Sequence, residues 1–145
     1  MSITVIEFST LDGVVHDPDG SAGSPGGGWA FRYGPGPVAG DKFRLGELLE
    51  TATMLLGRHT WQQFSHLWPQ RDDDFAKLMN DMPKLVASRT LDDVSAWDNS
   101  SVLEGDLVDE ARARSATGDI IVTGSTRVVH QLAAHDLVDL SLIHI

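Results

Sequence analysis

Runs of β-branched and apolar residues recur along this chain, and most of them lead into a stretch with helical periodicity. "SITVIEFS" (Ser2 to Ser9) alternates as a strand does. "TMLLG", "KLVAS", "DIIVT" and "VDLSLIHI" are short and almost continuously apolar, as strands covered on both faces are. "SVLEG" is a weaker strand. "RHTWQQFSHL" (ended by Pro69), "DDDFAKLMNDM", "DLVDEARARSA" (ended by Gly118) and "TRVVHQLAAH" read as helices. Asp41 caps a further predicted helix through about Thr51, with Phe43, Leu45, Leu48 and Leu49 as its apolar face. The alternation over the whole length predicts an α/β fold: one domain over residues 1–145, a three-layer sandwich with a mostly parallel central sheet and helices on both faces.

Two segments break the rhythm. "TLDGVVHDPDG" turns at Asp12-Gly13 and is expected to resume a strand briefly at Val14-Val15. From Ser21 to Gly40 the chain is rich in glycine and proline and carries Trp29, Phe31 and Tyr33, the composition of a loop that packs on something. Trp29, Phe31 and Trp61 either stack on a planar ligand or fill core. The last residues, "LSLIHI", form an apolar strand with no hairpin after it, so the sequence is expected to be C-terminally truncated.

Composition narrows the chemistry. A net charge of −10 with no basic stripe argues against nucleic acid as a partner. No run is long and apolar enough for a membrane span, and no leader precedes "MSITVIEF", so a cytoplasmic location is expected. The absence of cysteine excludes disulfides, thiolate metal sites and a thiol nucleophile. The histidines form no HxxxH or HExxH pair, so no metal site is expected; His66, His130 and His135 read as surface helix residues, and "RDDD" (71–74) as a solvated helix start.

In a parallel α/β sheet, ligands bind beyond the carboxyl ends of the strands. Three loops there share the same equipment. "LLGRHTW" offers Gly57, Arg58, His59 and Thr60; "LVASRT" offers Ser88, Arg89 and Thr90; "IVTGSTR" offers Gly124, Ser125, Thr126 and Arg127. Backbone N–H groups or hydroxyls beside an arginine are what holds a phosphate at a helix start. "GPGPVAG" is not a dinucleotide fingerprint, since it follows no strand, and no Walker lysine is present.

These residues carry a resemblance. "MLLGRHTWQQF" resembles the "GRHTW" segment of bacterial dihydrofolate reductases, and "IIVTGSTRVVHQLAAHDLVDLSLIHI" is similar to their glycine-loop strand, helix and following strand. "EFSTLDGVV" looks like the corresponding turn of the riboflavin-biosynthesis reductase domain, which shares that fold. The resemblance implies the dihydrofolate-reductase-like superfamily, NADPH as cofactor and hydride transfer to a flat heterocycle. By position it puts Arg58 at the 2′-phosphate of NADPH and His59 and Thr60 at the pyrophosphate. It puts Ser88 and Arg89 by the adenosine ribose and its phosphate. Gly124, Ser125 and Thr126 wrap the pyrophosphate, Arg127 adds a second charge near the 2′-phosphate, and Gly57, which closes its strand, is counted among the cofactor-binding residues. Serine stands at 125 where the folate enzymes place glycine, and the terminal hairpin of the family is absent.

Reducing a C=N bond also needs a proton at nitrogen. Folate reductases carry a carboxylate at the start of the first helix, and the matching residue is Asp41; as a helix cap or as a proton relay, the residue type suits both. Asp12 is the other candidate, unless it only forms its turn. The expected partners are a small heterocyclic substrate, pyrimidine or pterin, acted on by a dihydrofolate reductase-like or riboflavin-biosynthesis reductase-like enzyme, and a second copy of the chain, since an open apolar edge strand invites pairing as a homodimer. The competing reading is a dinucleotide-binding or assembly module that keeps the fold without turnover.

Overall fold

The computed structural model describes residues 1–36 and 44–144. Six strands form one sheet: β1 (Ile3–Phe8), β2 (Thr53–Gly57), β3 (Lys84–Ala87), β4 (Ser100–Val102), β5 (Ile120–Val122) and β6 (Leu140–His144). Their order is β4-β3-β2-β5-β1-β6, and every pairing is parallel. The helices are α1 (Leu48–Thr51), α2 (Arg58–Leu67), α3 (Asp74–Asp81), α4 (Leu107–Ser115) and α5 (Thr126–Ala134). The α/β sandwich expected from the alternation is what the chain adopts, and among the described residues its sheet is wholly parallel. No helix among the described residues is long and apolar enough to cross a membrane.

Alternation along the central strands sends successive side chains to two different cores. Met54 and Leu56 of β2, Val86 of β3 and Ile121 of β5 meet Leu49 of α1, Trp61 of α2, and Phe75 and Met79 of α3. Leu55, Leu85, Ile120 and Val122, with Ile3 and Val5 of β1, meet Ala111 of α4 and Val128 and Leu132 of α5 on the opposite face. A strand covered on both sides has no polar positions, which is why "IIV" and "MLLG" are apolar throughout and fully buried. Trp61 fills core rather than standing ready to stack on a ligand: it is 3% exposed, and its Nε1 donates to Ser100 Oγ at 2.9 Å.

Two aspartates pin the start of β1. Asp119, just before β5, accepts from the Ser2 N–H at 2.7 Å, and Asp139, just before β6, accepts from the Ile3 N–H at 2.8 Å. A lysine is buried at the amino end of β3. Lys84 is 1% exposed, donates to the carbonyls of Asn80 (2.6 Å) and Asp98 (3.0 Å), and lies 4.4 Å from the centre of the Trp97 ring. Its ammonium thus satisfies a carbonyl that the end of α3 leaves without a helical partner.

Local expectations failed in two places. No strand forms at Val14-Val15, because the Val14 N–H donates to Thr10 Oγ1 (2.8 Å) and its carbonyl accepts from the Thr10 N–H (2.9 Å), closing a turn instead. The helix expected from Asp41 is helical only from Leu48; residues 44–47 are turn, with Gly46 at φ +54°, and residues 37–43 lie outside the described part.

The loop after β1 packs on itself. Asp17 sits at φ +50°, and its carboxylate accepts from the N–H groups of Ala22 (2.9 Å) and Ser24 (2.8 Å). Its carbonyl accepts from Gly28, and Trp29 Nε1 donates to the His16 carbonyl at 3.0 Å. Gly27 lies so close that a Cβ there would fall 2.8 Å from Asp17 Cγ. Trp29 therefore holds the loop together, while Phe31 stays 46% exposed.

Candidate functional site

The chain runs from β2 toward β3 and β4 on one side, and from β5 past β1 to β6 on the other. Neighbouring β2 and β5 are therefore the switch point of the sheet, where a crevice opens beyond the carboxyl ends. The helices that follow these two strands leave to opposite faces, since Trp61 of α2 belongs to one core and Val128 of α5 to the other. Their first turns face each other across the crevice.

The two turns interlock. The Gly57 N–H donates to the Gly124 carbonyl at 3.3 Å. A Cβ on Gly57 would overlap Ser125 Oγ and approach Ser125 Cβ to 2.9 Å. A Cβ on Gly124, at φ +127°, would come within 2.9 Å of Thr60 Oγ1. The Gly124–Ser125 peptide is cis. Sequence reasoning placed Gly57, Thr60, Gly124 and Ser125 in one site, and the fold brings them into contact.

The starts of α2 and α5 differ from those of α3 and α4. Asp73 caps α3 by accepting from the Ala76 N–H, Asp106 caps α4 by accepting from the Val108 and Asp109 N–H groups, and acidic residues follow in both first turns. Neither Gly57 nor Ser125 makes a side-chain cap bond, and the first turns of α2 and α5 hold no acid. They hold Arg58 and Arg127, although the helix dipole disfavours cations there. Among the described residues Arg58, Arg89 and Arg127 have no carboxylate at ion-pair distance, whereas Arg71, Arg112 and Arg114 do. Helix starts without side-chain caps, beside arginines without carboxylate partners, favour an anion there even in a strongly acidic chain.

The remaining expected residues do not all gather at these turns. Arg58 is half-buried; its Nη1 donates to Thr90 Oγ1 at 3.1 Å, and its Nη2 lies 3.3 Å from His59 Nε2. His59, Thr126, Arg127 and Arg89 are exposed at the rim. Ser88 serves its own loop: its Oγ accepts from the N–H groups of Thr90 (3.2 Å) and Leu91 (3.0 Å). Asp12 is exposed in the turn after β1, and the Thr10 hydroxyl donates to it at 2.6 Å, which holds its carboxyl below the usual range. Asp41 lies outside the described residues.

Sequence reasoning named Thr90 only as part of its loop and did not single out Thr123 or Glu7. Thr90, not Ser88, is the hydroxyl that reaches Arg58. Thr123, beside Gly124, has an enclosed hydroxyl with no partner; a hydroxyl ending the apolar run "IIV" was the available signal. Glu7, a lone acid in β1, is half-buried; burial pushes its carboxyl up and His130 of α5 opposes the shift. His130 is exposed on α5, as expected of a surface helix residue, and His135 contacts its own helix through the Gln131 carbonyl at 2.9 Å.

No curated protein matches the chain by sequence. Among solved structures it is similar to a Shewanella sp. PV-4 protein assigned to riboflavin biosynthesis, with a TM-score of 0.68 and 20% identity over 99% of this chain and 75% of that one. At this identity the likeness speaks for the fold. The family model described as the RibD C-terminal domain matches residues 1–145, and the chain belongs to that family.

Proposed function

We propose that the chain is an NADPH-dependent reductase that passes hydride to a small heterocycle. Membership of the RibD C-terminal domain family supports a reductase-like role. The observation that carries the cofactor is the facing pair of uncapped helix starts, each bearing an unpaired arginine, over glycines that leave no room for a Cβ. The N–H groups at the start of α2 and α5 hold the pyrophosphate, and Arg58, with Arg127 at the rim, meets the 2′-phosphate. Bound nicotinamide supplies the hydride. The riboflavin-biosynthesis assignment of the Shewanella protein favours a ribosylaminopyrimidine over a pterin as acceptor.

Proton delivery falls to Asp41 on sequence grounds. Asp12 is less suited, because the hydrogen bond from Thr10 stabilises its ionised form. Asp41→Asn lowers turnover with cofactor affinity intact; the same outcome for Asp12→Asn instead moves the role to Asp12.

Titration with NADPH and with NADH, read by tryptophan fluorescence, tests the cofactor. Arg58→Ala loses one charge-assisted contact, so NADPH affinity falls roughly 10- to 100-fold while NADH changes little. Equal losses for both cofactors refute the assignment of Arg58 to the 2′-phosphate. Absence of binding by the unaltered chain refutes the cofactor itself.

A further inference from the structure

The guanidinium of Arg58 is held from two sides, by Thr90 Oγ1 at 3.1 Å and by His59 Nε2 at 3.3 Å. His59 is its chain neighbour, but Thr90 comes from the loop after β3 and reaches α2 across the carboxyl ends of two adjacent strands. That loop is itself built. Ser88 Oγ accepts from the Thr90 and Leu91 N–H groups, and Leu91 packs against the core beneath α2 and α3. Support therefore runs from the core through Leu91 and the Ser88 turn to the Thr90 hydroxyl, and from there to Arg58. Two of the five N–H donors of the guanidinium are engaged in this way, and the other three remain for an anion.

We propose that Thr90 is a positioning residue: it presets Arg58 for a phosphate monoester, and so determines how strongly the crevice distinguishes a dinucleotide with a 2′-phosphate from one without. The inference rests on the reading that the crevice takes NADPH. A long arginine side chain is rotamer-rich, and an untethered guanidinium surrenders that freedom on binding. Thr90 makes the sacrifice before the ligand arrives. Its contribution is confined to the phosphate, because the hydroxyl touches Arg58 and no part of the pyrophosphate cradle at Gly57 and Gly124.

The test is a set of dissociation constants for NADPH, NADH and adenosine 2′-monophosphate. They are measured on the full chain and on Thr90→Val, Thr90→Ser, Arg58→Ala and the Thr90→Val/Arg58→Ala double variant. Thr90→Val should weaken NADPH and the 2′-monophosphate about three- to tenfold and leave NADH within about twofold. Thr90→Ser, which keeps the hydroxyl, should restore the preference, and Thr90→Val should add nothing once Arg58 is alanine. A purely structural role for the loop would instead lower NADPH and NADH together, and that result overturns the proposal. So does a Thr90→Val effect that persists in full without Arg58. A full chain that prefers NADPH while Thr90→Val leaves the preference unchanged overturns the positioning role alone. A full chain with no preference for either phosphate-bearing ligand overturns this role and the cofactor reading together.

Discussion

Gly57→Ala tests whether the two turns of the crevice depend on each other. Gly57 has φ −76° and ψ 158°, a conformation open to alanine, so the backbone gives no reason for glycine. The contact does. The new methyl overlaps Ser125 Oγ, which a χ1 rotation relieves, but it also lies 2.9 Å from Ser125 Cβ, which no rotation relieves. Carbon pairs settle at about 3.5–4.0 Å, so the starts of α2 and α5 must part by roughly 0.6 to 1.1 Å. Overpacking of this kind costs about 1–3 kcal/mol. Ser125→Gly deletes both offending atoms and leaves the methyl in ordinary contact with the residue 125 nitrogen at 3.4 Å. Ser125 makes no cap bond, so this second change alone costs only a few tenths of a kcal/mol, roughly the Ser-to-Gly difference at an N-cap. The double variant should recover most of the loss, a coupling of about 1–3 kcal/mol. Urea unfolding of the four proteins at constant m measures it. Strict additivity, or a neutral Gly57→Ala, would show that the two turns do not approach each other this closely.

Two other predictions concern residues away from the crevice. Burial lowers the Lys84 ammonium to about 8, against the opposing pull of Asp81 and Asp98. The unfolded chain therefore binds more protons than the folded one between about pH 8 and the free lysine value near 10.4, and stability rises with pH across that window. Lys84→Met abolishes the rise, so the stability gap between variant and wild type shifts by up to about 3 kcal/mol between roughly pH 7 and pH 10; a gap constant with pH refutes the buried charge. Asp17→Ala removes the acceptor for the Ala22 and Ser24 N–H groups, so thermolysin should cut the segment between His16 and Phe31 faster, by about tenfold. The same bonds hold the Asp17 carboxyl below its ordinary value, so its contribution is complete above about pH 4 and is lost as the pH falls further. Cleavage of the wild-type loop should therefore rise in acid under a protease active there, and a loop equally resistant at both pH values would count against Asp17 as its organiser.

What was legible in the sequence followed from burial. Thr53–Gly57 and Arg58–Leu67 were delimited to the residue, because a strand covered on both faces and an amphipathic helix leave opposite signatures and Gly57 separates them. The three loops at the carboxyl ends of β2, β3 and β5 were located for the same reason, each lying where an apolar run stops. Illegible was whatever depends on a partner distant in sequence. Thr90 meets Arg58 across 32 positions, and Glu7 feels the charge of His130 only once β1 lies beside β5. The strand expected at Val14-Val15 failed because apolar character does not reveal whether a neighbouring strand is within reach. Asp17 hid inside "DPDG", a turn signal by composition, though its real work is to gather N–H groups from the glycine-rich residues that follow.

The position of β1 sets a timetable for the chain's own synthesis. It is made before β2, β3 and β4, yet both of its neighbours in the sheet, β5 and β6, are made after them, and the aspartates that hold its start are separated from it by 117 and 136 positions. β2, β3 and β4 adjoin one another and can assemble as they emerge. At about 5–20 residues per second, the first strand waits on the order of ten seconds with its edges bare. A nascent chain of this design presents "ITVIEF" to whatever holds unfolded segments in that interval, and the crevice between β2 and β5 cannot exist until β5 has been made.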